Sequence, residues 1–191
     1  MGLLGGSFDP AHEGHLAISL VALSRLALDE VWWLVAPQNP LKPPSSPYAG
    51  RLAGARAMAR HPRIRVSDIE RRLGTYYTVD TLEALGRRFP AHRFVWIMGA
   101  DSFAGLHRWH RWRTIMETVP VAVMNRPGHY LKAAASPAAR RYAAARVPQH
   151  EAASLPTRSP PAWAMVTFPL RHESSTAIRA RRLLNSAAVP H

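Results

Sequence analysis

His12 and His15 stand three residues apart just after a paired-glycine turn, in the run Leu3-Leu4-Gly5-Gly6-Ser7-Phe8-Asp9-Pro10-Ala11-His12-Glu13-Gly14-His15. A short apolar strand ending in two glycines exposes successive backbone N–H groups, and a helix opening soon afterwards adds the positive end of its dipole. Together they make a cradle for an anion, and phosphate is the natural guest. At the opening of a helix, a spacing of three puts both imidazoles on one side, within reach of a single phosphate chain. Each piece alone has an ordinary use: glycines make turns, and Asp9-Pro10 is a turn or helix-start signal. In one strand-turn-helix unit they outline a nucleotide site.

Three further segments offer matching chemistry. Pro37-Gln38-Asn39-Pro40-Leu41-Lys42 follows an apolar run at Val31 to Val35, so Lys42 can reach over the same crevice as His15; the alternative is a solvated loop lysine. Gly99-Ala100-Asp101 follows a second such run, and Asp101 can cap the next helix, contact a ribose, or do both. Ser174-Ser175-Thr176-Ala177-Ile178-Arg179 opens a helical stretch after Ala164 to Phe168. It reads as a plain Ser or Thr cap, or as a second phosphate cradle with hydroxyls and amides toward the oxygens and Arg179 as a charged clamp.

The elements that must position these groups alternate along the chain. Strands are predicted over Gly2 to Gly5, Val31 to Val35, Ile64 to Val66, Phe94 to Met98, Val119 to Met124 and Ala164 to Phe168. Between them lie a helix over Glu13 to Leu28, with Leu16, Leu20, Leu23 and Ala27 at helical spacing, and helices over Ala49 to His61 and Thr78 to Phe89, the latter turning Val79, Leu82 and Leu85 inward. A broken helical pair covers Asp101 to Glu117, an Ala-rich helix Pro137 to Arg146, and a last helix Thr176 to Leu184. Pro37 to Pro47 holds five prolines and must be an irregular loop. Gln149 to Pro161 has no periodicity and reads as an irregular connection. Strand alternating with helix predicts an α/β fold: a doubly wound, mostly parallel sheet with helices on both faces, binding ligands at the carboxyl ends of its strands where chain order reverses.

Composition bounds the reading. With 191 residues, 47% of them hydrophobic, the chain suits one domain, 1–191, with a sizeable core. It has no Cys, which excludes disulfides and thiolate metal sites, and no run approaches the length that spans a bilayer, so a cytoplasmic protein is expected. The 25 Lys and Arg against 12 Asp and Glu give a net charge of +13, which attracts polyanions. The arginines are scattered rather than gathered into a stripe, which favours a solvated, arginine-rich surface over a nucleic-acid interface. No cluster has metal-ligand spacing, and no activated Ser or Cys constellation is readable.

The run from Gly6 to His15 resembles the GSFDPxHxGH signature of bacterial nicotinate-nucleotide adenylyltransferases, within the nucleotidyltransferase superfamily whose short motif is His-x-Gly-His. Tyr77-Thr78-Val79-Asp80-Thr81-Leu82 resembles their YTxDTL segment, and Gly99-Ala100-Asp101 through Leu106 and Trp109 resembles their GADxxxxLxxW segment. Asn125-Arg126-Pro127-Gly128 matches an NRPG turn. Glu173 to Arg179 resembles ISSTxIR, with Glu173 in place of the first apolar residue. The likeness runs from Met1 to about Arg182.

The resemblance implies a Rossmann-like fold and adenylyl transfer from ATP to nicotinate mononucleotide, with magnesium carried by the triphosphate and a homo-oligomer possible. It implies catalytic roles for His12, His15, Lys42 and Arg179. ATP would meet Gly6, Ser7, Phe8, His15, Gly99, Asp101, Ser174, Ser175, Thr176 and Arg179; nicotinate mononucleotide would meet Lys42, Thr78, Trp109, His110 and Arg126. Trp109 would stack on the pyridine ring, and its setting among His107, Arg108, His110 and Arg111 predicts exposure, whereas Trp112 is the better core candidate. Alternatives are an adenylyltransferase for nicotinamide mononucleotide or phosphopantetheine, or a noncatalytic basic nucleotide- or RNA-binding protein. His12, where phosphopantetheine enzymes usually carry Thr, counts against the second.

Overall fold

The structure, a computed structural model, describes residues 1–38, 46–125 and 128–168. Short apolar runs, too long-range in their pairing to be hairpins, form seven strands: β1 (Gly2–Gly6), β2 (Val31–Val35), β3 (Ile64–Ser67), β4 (Val95–Gly99), β5 (Val121–Asn125), β6 (Arg146–Val147) and β7 (Trp163–Thr167). They lie side by side in the order β3-β2-β1-β4-β5-β7-β6, and all six pairings are parallel. The mostly parallel sheet predicted from the alternation is therefore wholly parallel within the described residues.

Alternation along each strand divides the core in two. Leu3, Leu34, Trp96, Met98, Val121, Val123, Trp163 and Met165 face one layer, with Val79, Leu82 and Leu85 of α4 (Thr78–Arg88) and Ile115 of α6 (Trp112–Thr118). Their neighbours Leu4, Trp33, Val35, Val95, Ile97, Met124 and Val166 face the other, against Ile18, Ala22 and Leu23 of α1 (Glu13–Arg25) and Ala55 of α2 (Tyr48–Met58). Both faces of the sheet are thus covered, which is why its strands read as near-continuous hydrophobic runs.

Several boundaries and faces differ from expectation. In α1 the inward stripe is Ile18, Ser19, Ala22 and Leu23, while Leu20 is 40% exposed and Ala27 lies beyond the helix end with φ 48°. The helix predicted over Pro137 to Arg146 breaks into α8 (Pro137–Arg141), a 3-10 turn at Ala143–Ala145 and β6. Arg146 and Val147 are taken by ladder bonds to Trp163 and Ala164, and that pairing outweighs the helical preference of alanine. The connection over 149–161 is more ordered than predicted: Gln149–Thr157 winds through 3-10 turns and buries Ala152 and Leu155. Two short helices went unpredicted, α3 (Ile69–Leu73) and α7 (Tyr130–Ala134); α5 (Ala100–Ala104), a 3-10 turn at Leu106–Arg108 and α6 make up the broken pair. The helix expected over Thr176 to Leu184 lies outside the described residues. Among those described, no helix is long and apolar enough to cross a membrane.

Chain order reverses between β1 and β4, and the ladder there is short. β1 pairs with β2 through Gly6 and β4 with β5 through Gly99, but β1 and β4 pair only from Gly2–Val95 to Leu4–Ile97. The last two residues of both strands therefore part company, which opens a crevice at their carboxyl ends. Gly5 is required at its edge, because a Cβ there would collide with the Trp96 indole.

Candidate active site

The crevice is approached by the turn joining β1 to α1. Phe8 adopts a left-handed backbone, φ 48°, that a bulky residue seldom takes. Burial holds it there: Phe8 is 1% exposed, stacks on Trp33 at 5.1 Å and meets His15 at 4.7 Å. The turn can then lead directly into α1, whose N-cap is His12.

His12 and His15 form a reciprocal cap. The Gly14 N–H donates to His12 Nδ1 at 3.0 Å, and the His12 N–H donates to His15 Nδ1 at 3.3 Å. A ring nitrogen that accepts cannot carry the proton of a neutral imidazole, so the geometry assigns both protons to Nε2. The two rings, 4.0 Å apart, are thereby fixed in the same tautomer. Behind them, the Ser19 hydroxyl donates to the His15 carbonyl at 2.8 Å and accepts from Trp33 Nε1 at 2.7 Å. A mid-helix serine with no exposed surface gives no signal in the sequence, yet it joins His15 to the sheet.

Across the crevice, Gly99 caps α5, and a Cβ at that position would collide with the Asp101 carboxylate. Asp101 lies exposed in the first turn of α5, and the N-cap place considered for it is held by Gly99.

A second cluster joins the start of α4 to the segment before α6. Tyr77, immediately before Thr78, packs on the His110 ring at 4.5 Å. Arg111 grips Glu83 at 2.7 Å and reaches Asp80 at 3.6 Å, so the acidic residue of Tyr77-Thr78-Val79-Asp80 helps tether the segment that carries Trp109 and His110. Such half-exposed pairs contribute little stability, about 1 kcal/mol or less, but they fix orientation. Trp109 is half-buried against the core rather than exposed, and Trp112 is also half-buried, edge-on to Tyr142. Beneath α4, Glu70 is 7% exposed, and the Thr81 hydroxyl donates to its carboxylate at 3.1 Å. Burial pushes its pKa up to about 7 despite that hydrogen bond.

The structure thus brings Gly6, Ser7, Phe8, His12 and His15 together in the turn after β1 and the opening of α1, sets Gly99 at the end of the neighbouring strand with Asp101 in the helix that follows, and joins the segments of Thr78 and of Trp109 and His110 through the Tyr77–His110 contact and the Arg111 pairs. Lys42, Arg126, Ser174, Ser175, Thr176 and Arg179 lie outside the described residues. Among the described residues no group of three or more His, Cys, Asp or Glu could hold a metal ion. Among the described arginines the expectation of a solvated surface fails at Arg51, which is 8% exposed.

A parallel doubly wound sheet with an anion-binding turn and two histidines beside its switch point defines a nucleotide-handling α/β protein. The cytidylyltransferase-like family profile matches residues 3–181, and the chain belongs to that family, among its nicotinate-nucleotide adenylyltransferases. A Cereibacter sphaeroides protein named probable nicotinate-nucleotide adenylyltransferase is 58% identical over 94% of this chain and 96% of its own length. One of the same name from Caulobacter is 55% identical over 95% and 97%. The fold matches that of a Plasmodium falciparum nicotinic acid mononucleotide adenylyltransferase complexed with NaAD, with a TM-score of 0.69 over 94% of this chain and 82% of that one, at 14% identity.

Proposed function

We propose that the protein transfers the adenylyl group of ATP to nicotinate mononucleotide, giving nicotinate adenine dinucleotide and pyrophosphate for NAD synthesis. The observation that carries this reading is the reciprocal cap at the start of α1, which holds the His12 and His15 rings 4.0 Å apart just after the glycine turn that ends β1. The relatives' names support the acceptor.

A phosphate oxygen of the mononucleotide attacks the α-phosphorus of ATP in line. The new P–O bond forms as the bond from the α-phosphorus to the α,β-bridging oxygen breaks, and pyrophosphate leaves with that electron pair. The protein supplies position and charge. His12 and His15 donate to phosphate oxygens, and the backbone of Gly6, Ser7 and Phe8 lines the cradle; Gly99 and Asp101 take the nucleoside side. Lys42 and Arg179 stabilise the charge that builds in the transition state, with Ser174, Ser175 and Thr176 as further phosphate donors. Magnesium enters as part of the ATP complex. Thr78, Trp109, His110 and Arg126 take the pyridine nucleotide.

Direct attack inverts configuration at the α-phosphorus, so ATP carrying a chiral α-thiophosphate should give dinucleotide of inverted configuration; retention contradicts the single displacement. Trp109→Ala should raise the KM for nicotinate mononucleotide roughly tenfold through loss of stacking on an electron-poor ring, with the KM for ATP unchanged. Steady-state kinetics with each substrate varied in turn checks this, and equal shifts in both KM values contradict it.

A further inference from the structure

Arg51 has no role in the reading above, yet few charged side chains are so well enclosed. It lies on the first turns of α2 and directs four of its five N–H groups to backbone carbonyls. Nη1 donates to Ser7 O at 2.7 Å and to Ala36 O at 2.8 Å, Nη2 to Pro37 O at 2.7 Å, and Nε to Ser46 O at 3.2 Å. These four acceptors belong to three separate stretches of chain: the turn after β1, the exit from β2, and the approach to α2. A direct bond from the Ala36 N–H to Gly6 O, 2.9 Å, joins the first two. Among the described residues no ion pair involves Arg51, and its ring contact is with Tyr48 at 5.3 Å.

Burying a guanidinium costs stability unless each N–H finds an acceptor. Here the acceptors are the carbonyls of loops flanking the crevice, so the cost is offset only when both loops hold one arrangement. Ser7 precedes Phe8 in the turn that leads to His12 and His15. Pro37 and Ser46 lie on either side of the stretch that contains Lys42. We propose that Arg51 is a positioning residue: its planar fork locks the turn after β1, which leads to His12 and His15, to the exit of β2 and the approach to α2, and so sets the position of the two histidines. The kinetic part of this proposal rests on assigning the crevice to ATP.

Arg51→Lys separates the clamp from the charge, because an ammonium keeps the charge but donates from one point and cannot span four carbonyls on three segments. Arg51→Met removes both. In Arg51→Lys, amide hydrogen exchange over residues 7–11 and 36–38 should accelerate tenfold or more, while the amides of β4 and β5 stay at wild-type rates. The kcat/KM for ATP should fall about tenfold in Arg51→Lys and at least as far in Arg51→Met, with the KM for nicotinate mononucleotide within twofold. A merely structural role would lower kcat in proportion to folded protein and leave KM for ATP alone. The proposal is overturned if exchange in both loops is unchanged in Arg51→Lys, if lysine restores full kcat/KM for ATP, or if neither variant folds, since a clamp between loops leaves both cores intact. A wild-type protein inactive with ATP would overturn the functional assignment, and the exchange measurement would still decide the clamp.

Discussion

Replacing His15 with alanine is expected to lower turnover on the order of 10²–10³-fold, the usual loss when one preorganised donor to transition-state charge is removed. Two effects act, in the same direction. The imidazole proposed to donate to a phosphate oxygen is gone, and so is the Nδ1 that accepts the His12 backbone N–H, so the His12 ring also loses the neighbour that packs 4.0 Å from it. The stability cost is that of a helix cap, about 1 kcal/mol, small beside the roughly 5–15 kcal/mol of an ordinary domain. Near-normal turnover in His15→Ala contradicts the assignment; low turnover in a protein that melts cooperatively near the wild-type temperature supports it.

The second large effect is on stability. Glu70 is raised from 4.5 to about 7 by burial, with Thr81 donating to it and no ion pair to it among the described residues. Because the folded pKa lies above the unfolded one, the unfolded state releases this proton first as pH rises. The stabilising contribution is therefore complete below about pH 4.5 and is lost as pH climbs to about 7, amounting to about 3 kcal/mol. Glu70→Gln keeps an acceptor for Thr81 and removes the titration. Denaturant unfolding at pH 5 and pH 8 should show the variant gaining on wild type by up to about 3 kcal/mol across that interval, whereas parallel stability curves contradict a buried, titrating Glu70.

What could be read in the sequence follows from how local the signal is. Val31 to Val35 is found as predicted, because a strand buried on both faces must be an unbroken run of Val, Trp and Leu. The glycine turn and the histidine pair were legible for the same reason: their chemistry lies within fifteen residues. α1 shows where periodicity misleads, since its leucines suggested Leu20 inward while Ser19 takes the buried place through bonds to His15 and Trp33. β6 was hidden because two residues with helical neighbours become a strand only when Trp163 and Ala164 come alongside. Arg51 was the least legible. Its role depends on carbonyls up to 44 positions away, and nothing in its own neighbourhood distinguishes it from the exposed arginines. Asp80 lies between these cases, visible as part of a motif but with its partner Arg111 known only from the fold.

The central claim is most directly tested by following pyrophosphate release from magnesium ATP with nicotinate mononucleotide, nicotinamide mononucleotide or phosphopantetheine at equal concentration. The account predicts strong preference for nicotinate mononucleotide, with one dinucleotide formed per pyrophosphate. Release with another acceptor in its place contradicts the pocket assigned to Thr78, Trp109 and His110, and silence with all three contradicts adenylyl transfer itself.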